Sequence, residues 1–139
     1  MKKYLDGKDE REKAVILKGT YYGFWIIVIL ALISIPLYVL GDFKPSVKAI
    51  SESPMLPLLY IFAGLSFANI YCITKKAFRQ NELLSYTVIF CVSAITTGSS
   101  VDITGDFDSI SLLMIAAALA IQGIMACVTL IKMKTEEKQ

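Results

Sequence analysis

Histidine is missing from this sequence, and cysteine occurs only three times. Without an imidazole, the chain has no His ligand for zinc or haem and no His base for a catalytic triad. Cys72, Cys91 and Cys127 lie far apart and form no C-x-x-C pair, so we predict neither a disulfide framework nor a metal site built on them. We expect no cofactor, and we interpret the cysteines as small packing residues.

Charge is also missing, from four long runs. None of the 14 Lys+Arg or 12 Asp+Glu residues falls within 20–40, 55–74, 83–101 or 110–131. As helices, these runs would extend roughly 28 to 33 Å, the thickness of a bilayer's hydrocarbon core. The sequence therefore predicts an all-α integral membrane protein, with residues 1–139 forming a single domain that is a four-helix bundle. A cleavable signal peptide is the alternative for the first run, but 21 apolar residues exceed the core of a signal.

The basic residues predict the orientation. Residues 1–19, 75–82 and 132–139 together hold twelve Lys or Arg, whereas 41–54 and 102–109 hold two. Because basic residues near the ends of spans stay on the cytoplasmic side, we predict that both termini are cytoplasmic and that the protein lies in the plasma membrane. The basic segments are short and adjoin the spans, so contact with lipid is predicted rather than binding of nucleic acid.

The segment before the first span, residues 1–19, is rich in both charges. We predict a short interfacial helix that breaks or bends near Gly19, with a solvated extension as the alternative. Four charged residues in it are candidates to face a partner protein: Asp9, Glu10, Arg11 and Glu12.

No ionisable residue lies within the predicted spans, which counts against proton- or sodium-coupled transport. Small four-helix multidrug exporters carry a Glu in their first helix, and 20–40 has no acid. The amides of Asn69 and Gln122 should instead face the bundle and bond to a neighbouring helix. A run of hydroxyls could mark a loosened helix end or could satisfy the carbonyls of its own helix: Thr96, Thr97, Ser99 and Ser100. These polar residues are either structural contacts or a neutral ligand path.

Small residues recur at helical spacing in two spans and should let helices approach closely. Gly64 and Ala68 form one such pair in the second span. The fourth span carries a longer row, made of Ala116, Ala120, Gly123 and Cys127. These faces fit contacts within one chain and a homodimer equally well.

The loop between the third and fourth spans is acidic. Asp102, Asp106 and Asp108 are weak candidates for a Ca²⁺ site, because the loop lacks the ligand spacing of an EF-hand; a solvated acidic turn is the alternative. A Gly-Asp-Phe triplet occurs at 41–43 and again at 105–107. A duplicated hairpin would explain this repeat, and so would chance together with the use of Gly to end helices.

The N-terminal pattern supplies one resemblance. Residues 8–12, Lys-Asp-Glu-Arg-Glu, are followed by Gly-Thr-Tyr-Tyr-Gly-Phe-Trp at 19–25 and an apolar run. This resembles small multi-span membrane proteins of Gram-positive bacteria, of uncharacterised function, that have an Asp-Glu-Arg-Glu type motif before the first helix. The resemblance covers about 25 residues and implies a plasma-membrane location without a reaction.

These observations favour a non-enzymatic membrane protein that acts through interactions, as an accessory, regulatory or immunity-type subunit. Its partner would be another membrane protein or a second copy of the chain. A small transporter or channel with a neutral polar path is the alternative. An enzyme is less favoured, because its acids and bases would have to come from the loops.

Overall fold

A computed structural model describes residues 8–41, 45–101 and 106–136. Every regular element in these ranges is helical, and four of the helices are long and apolar enough to cross a membrane. The elements are α1 (Glu10–Gly41), α2 (Pro45–Ser51), α3 (Met55–Thr74), α4 (Gln80–Ser99) and α5 (Phe107–Glu136).

Helix α1 is longer than the predicted first span, and the expected break near Gly19 is wrong. The helix runs without interruption from Glu10 to Gly41. Its first turn is stabilised by Asp9, whose carbonyl accepts the Lys13 N–H at 2.9 Å. Gly19 lies within the helix and is buried against α3, so here the absence of a side chain permits close packing.

The turn between α3 and α4 is short and well defined. Lys76 has a positive φ of 53°. Its N–H bonds to the Ile73 carbonyl at 3.1 Å, and the Ala77 N–H bonds to the Cys72 carbonyl at 2.9 Å. This pair of bonds is the Schellman pattern that ends a helix. Helix α4 then begins at Gln80, where Glu82 Oε2 accepts the Arg79 N–H at 3.1 Å.

The main contacts between the long helices place them in the order α1, α3, α5, α4. Helices α3 and α5 are central and run in the same direction. Ser53 and Asp108 meet where both begin, and Lys76 and Glu136 meet where both end. We call these two levels the α2 end and the termini end.

The two central helices are more buried than the two outer ones. Within the apolar 18-residue window of each helix, buried residues make up 39% in α5 and 28% in α3, against 11% in α4 and 6% in α1. The buried apolar cluster lies towards the termini end, where Cys72, Ile73, Phe78 and Leu83 pack with Leu119 and other residues of α5. The outward surfaces of α1 and α4 are apolar and exposed in the isolated chain.

Candidate functional site

A polar network joins the two central helices. Gln122 of α5 is 1% exposed, and its Nε2 donates to Ser66 Oγ at 2.8 Å and to the Ala118 carbonyl at 3.2 Å. Its Oε1 accepts Asn69 Nδ2 at 3.2 Å. The structure thus brings together Asn69 and Gln122, the two amides that the sequence singles out, across the contact between α3 and α5.

Ser66 completes this network and was missed by the sequence reasoning. It lies three residues before Asn69, which places both side chains on one face of α3. That spacing was the available signal. In the described ranges, no buried side-chain nitrogen or oxygen lacks a hydrogen-bond partner. The network contains only amides and a hydroxyl, so it has no ionisable group through which it could take up or release a proton.

An apolar cavity of about 330 Å³ lies beside the network, on its α2 side. Helices α1, α3 and α5 all contribute to its wall, including Leu30, Phe62 and Ile115. Tyr60 and Ser66 are the hydroxyl-bearing residues of this wall, and Ser66 lies at the end nearer the network. The cavity therefore ends at a hydroxyl that is already bonded to Gln122.

The hydroxyl run of α4 is separate from this network. Thr96 donates to the Val92 carbonyl at 3.0 Å, and Ser99 and Ser100 both donate to the Thr96 carbonyl at 2.9 Å. Thr97 is half-buried on the same helix. No hydrogen bond in the described ranges joins this run to Gln122. The alternative in which these hydroxyls satisfy their own helix is the one that the geometry favours.

The acidic residues of the loop between α4 and α5 are only partly described. Asp102 lies outside the described residues. Asp108 accepts a hydrogen bond from Ser53 Oγ at 2.5 Å, and it lines a cavity of about 380 Å³ together with Asp106 and Glu52. No group of three His, Cys, Asp or Glu residues suited to a metal ion occurs among the residues that the structure describes. The observed role of Asp108 is to join the starts of α3 and α5.

Gly64 and Ala68 lie in the contact between α3 and α1. A Cβ added to Gly64 would overlap the Ile27 side chain, and one added to Gly23 would meet the Gly64 carbonyl oxygen at 2.5 Å. One added to Gly19 would meet the Ala68 carbonyl at 3.2 Å. Two glycines of α1 thus face the small residues of α3, and the sequence reasoning recognised only the α3 side.

The small residues of α5 divide between two environments. Gly123 packs on α4, where an added Cβ would meet Cys91 Sγ at 2.9 Å. Ala116 is buried near Gly98, and Ala120 is half-buried. Cys127 is exposed in the isolated chain, so it contributes no buried position to this contact.

A buried lysine fixes the start of α1 at the termini end. Lys8 is 6% exposed. Its Nζ lies 2.6 Å from Glu82 Oε2, 3.2 Å from the Ala77 carbonyl and 5.4 Å from the centre of the Phe78 ring. Sequence reasoning predicted no structural contact for Lys8, because its partners lie about 70 residues away in the chain.

The four candidate partner-facing residues directly follow this lysine. Asp9, Glu10 and Arg11 are exposed, and Glu12 is half-buried. Glu12 Oε2 accepts the Asp9 N–H at 3.3 Å, which helps to cap the helix. Arg11 also lines a cavity of about 120 Å³ with Lys75 and Lys76 of the α3 to α4 turn.

The fold and these contacts define an all-helical protein whose four long helices suit a membrane. Comparison with models of protein families, with curated proteins and with solved structures finds no match for this chain.

Proposed function

We propose that this chain is a non-enzymatic plasma-membrane protein with both termini cytoplasmic, acting as an accessory, regulatory or immunity-type subunit. Four apolar helices support the membrane location. The segments that we place in the cytoplasm hold twelve basic residues and the opposite loops hold two, which supports the orientation. The N-terminal resemblance to small membrane proteins of Gram-positive bacteria agrees with this location.

The burial of Lys8 carries the interaction role. A lysine that serves only topology can remain in water at the membrane surface, whereas burying an ammonium is costly unless it is paired and hydrogen-bonded. Among the described residues, Glu82, the Ala77 carbonyl and the Phe78 ring hold the Lys8 side chain, and residues 9–11 are exposed immediately beyond it. The contacts therefore position a charged surface, which a partner could recognise in a fixed geometry.

The membrane-embedded polar groups support a non-enzymatic role. Gln122, Asn69 and Ser66 bond to one another within the contact between α3 and α5. A chemical step would need an acid, a base or a nucleophile facing a substrate. An amide network whose groups satisfy each other is better suited to holding helices together.

Co-purification tests this role. The tagged full chain is extracted from its native membranes in mild detergent, with and without prior crosslinking. We expect a discrete partner or a second copy to remain bound. The charge reversals Glu10→Lys and Arg11→Glu should weaken its retention, since both residues are exposed.

Lys8→Gln and Lys13→Gln form a matched pair that removes the same charge from the same segment. Lys8 is buried and Lys13 is half-buried, so only Lys8→Gln should release the segment and weaken capture of the partner. If the wild-type chain runs as a lone monomer and crosslinks to nothing, the proposed role is rejected.

The cavity beside Ser66 favours a second candidate function, the passage or binding of a neutral lipophilic molecule. The cavity is apolar and ends at a hydroxyl of the polar network, a combination typical of small-molecule sites. Reconstituted flux of neutral solutes that disappears with Gln122→Leu and with Asn69→Leu would support it. Flux that is the same in both variants would remove these residues from any path.

A further inference from the structure

A second cavity, of about 300 Å³, lies at the termini end between the last turn of α3 and the last turns of α5. Lys76 and Lys132 line the end of the cavity nearest the chain termini, which we call its mouth, and Thr129, Val128 and Ile124 follow along α5. The distance from Lys132 to Ile124 is about 12 Å at the rise of an α-helix. Along α5, the wall therefore changes from the cationic Lys132, through the hydroxyl-bearing Thr129, to the apolar Val128 and Ile124.

The backbone at Lys76 points to a use for its side chain. Its φ of 53° lies in the left-handed region, where a Cβ is unfavourable and glycine is the usual residue. The chain has lysine at this position, and that lysine lines the cavity. A requirement for a cation there accounts for a residue that the backbone alone disfavours.

The charges at the mouth leave a net positive site. Lys76 Nζ contacts both carboxylate oxygens of Glu136, at 2.6 and 2.7 Å. That pair is exposed, with side-chain exposures of 41% and 62%, so it contributes little stability and can exchange partners. Lys132 is exposed and has no carboxylate partner within the described part of the chain. Among the described residues, the cavity wall thus carries two lysines against the one carboxylate of Glu136, and Thr129 lies one turn before Lys132 on α5.

We propose that this cavity binds an anionic phospholipid. Its phosphate lies between Lys76 and Lys132, with Thr129 as an additional donor, and the upper part of an acyl chain follows Val128 and Ile124. Both apolar residues are exposed in the isolated chain, at 47% and 62%. A free phosphate would use the cations and leave this apolar wall uncovered, so the wall favours a lipid. The assignment rests on the proposed membrane location, in which the termini end faces the cytoplasmic leaflet.

Lipid retention in native mass spectrometry tests the site. The purified full chain is mixed with equal amounts of dioleoylphosphatidylglycerol and dioleoylphosphatidylcholine, and the fraction of each lipid that stays bound is measured. We expect the wild type to retain phosphatidylglycerol preferentially. Lys132→Gln should lower that retention about fivefold, the usual effect of one basic residue at an anionic surface.

Three further variants separate the site from general surface charge. Lys134→Gln removes the same charge two residues away, outside the cavity wall, and should leave retention unchanged. Lys76→Gly relaxes the backbone and removes the ammonium, so it should lower retention without unfolding the chain. Glu136→Gln frees Lys76 and should raise retention. Equal losses for Lys132→Gln and Lys134→Gln would overturn the proposal, and so would a loss for Glu136→Gln.

Inorganic phosphate and glycerol phosphate serve as probes without acyl chains. Neither should displace bound phosphatidylglycerol at concentrations equal to that of the lipid; displacement by either one would assign the site to a soluble phosphate instead. The outcomes are separable from those for the proposed function. If the chain retains phosphatidylglycerol selectively but captures no partner, only the interaction role is rejected. If it captures a partner but retains both lipids equally, only the lipid site is rejected.

Discussion

Helix α3 contacts α1 and α5 in two different ways. Towards α1 it presents Gly64 and Ala68, which allow the backbones to approach until an added Cβ would overlap Ile27. Towards α5 it presents Ser66 and Asn69, which bond to Gln122. In lipid, apolar side chains gain little by leaving one apolar environment for another, so association depends on close packing or on hydrogen bonds. Helix α3 therefore associates by close packing on its α1 side and by hydrogen bonds on its α5 side.

The two contacts should respond to different changes. A contact made by glycine depends on shape and is broken by added volume. A contact made by hydrogen-bonded amides tolerates changes of volume at its edges but is weakened when one partner is removed. Substitutions that affect one contact and spare the other therefore test the comparison directly.

The largest effect is expected from Gly64→Leu. The new side chain would enter the space of Ile27 and Gly23, forcing α1 away from α3. We expect a loss of about 3 kcal/mol in the free energy of unfolding, measured by titrating the protein with SDS in mixed micelles. Gly98→Ala is the control, because a Cβ there meets only Ala116 at the ordinary distance of 3.9 Å. Similar losses for both variants would contradict the glycine contact.

Gln122→Leu should have the next largest effect. It removes the central residue of the network, leaving Asn69 without its partner and Ser66 without its donor. The expected loss is about 2 kcal/mol, measured by the same titration. The double variant with Asn69→Leu should lose less than the sum of the two single variants. Strict additivity would show that the two amides are not coupled.

Ser66→Ala should cost less, about 1 kcal/mol or below, because Gln122 Nε2 keeps its bond to the Ala118 carbonyl. The resistance of the protein in micelles to trypsin or to SDS would detect the loss. Ser85→Ala is the control variant, because Ser85 is exposed and its hydroxyl donates to a carbonyl of its own helix. A Ser66→Ala variant no weaker than Ser85→Ala would remove Ser66 from the contact.

Thr96→Val should have the smallest effect, within about 0.5 kcal/mol of the wild type. Its hydroxyl is exposed and donates to carbonyls of its own helix, so no contact between helices depends on it. The same micelle titration measures this. A loss comparable with that of Gln122→Leu would show that the hydroxyl run belongs to the polar network after all.

The sequence predicts the helical spans well, because charge is excluded from them whatever the arrangement of the helices. It also singles out Asn69 and Gln122, since an amide within an apolar run is conspicuous. Ser66 escaped notice because a single hydroxyl in a helix can bond to its own backbone and signals nothing by itself.

Other features depend on distant partners. Considered locally, Gly19 suggests a helix break, whereas in the fold it lies close to Ala68 and Cys72 of α3. Lys8 is one of several lysines near the first span, and its burial depends on Glu82 and Ala77, far along the chain. The burial of Lys8 leaves no periodic signal in the sequence, whereas the spacing of Gly19 and Gly23, four residues apart, was an available signal for the contact with α3.

The order of the helices has a consequence for biosynthesis. Helix α5 is the last of the four along the chain, yet it lies between α3 and α4. While α5 is still being made, Asn69 and Ser66 lack the glutamine that satisfies them, and α4 lacks its main neighbour. In the proposed membrane location, the contacts among these four helices are therefore completed only when α5 inserts. In that location, a chain truncated before Gln122 would lack the residue that bonds Asn69 and Ser66 within the apolar layer.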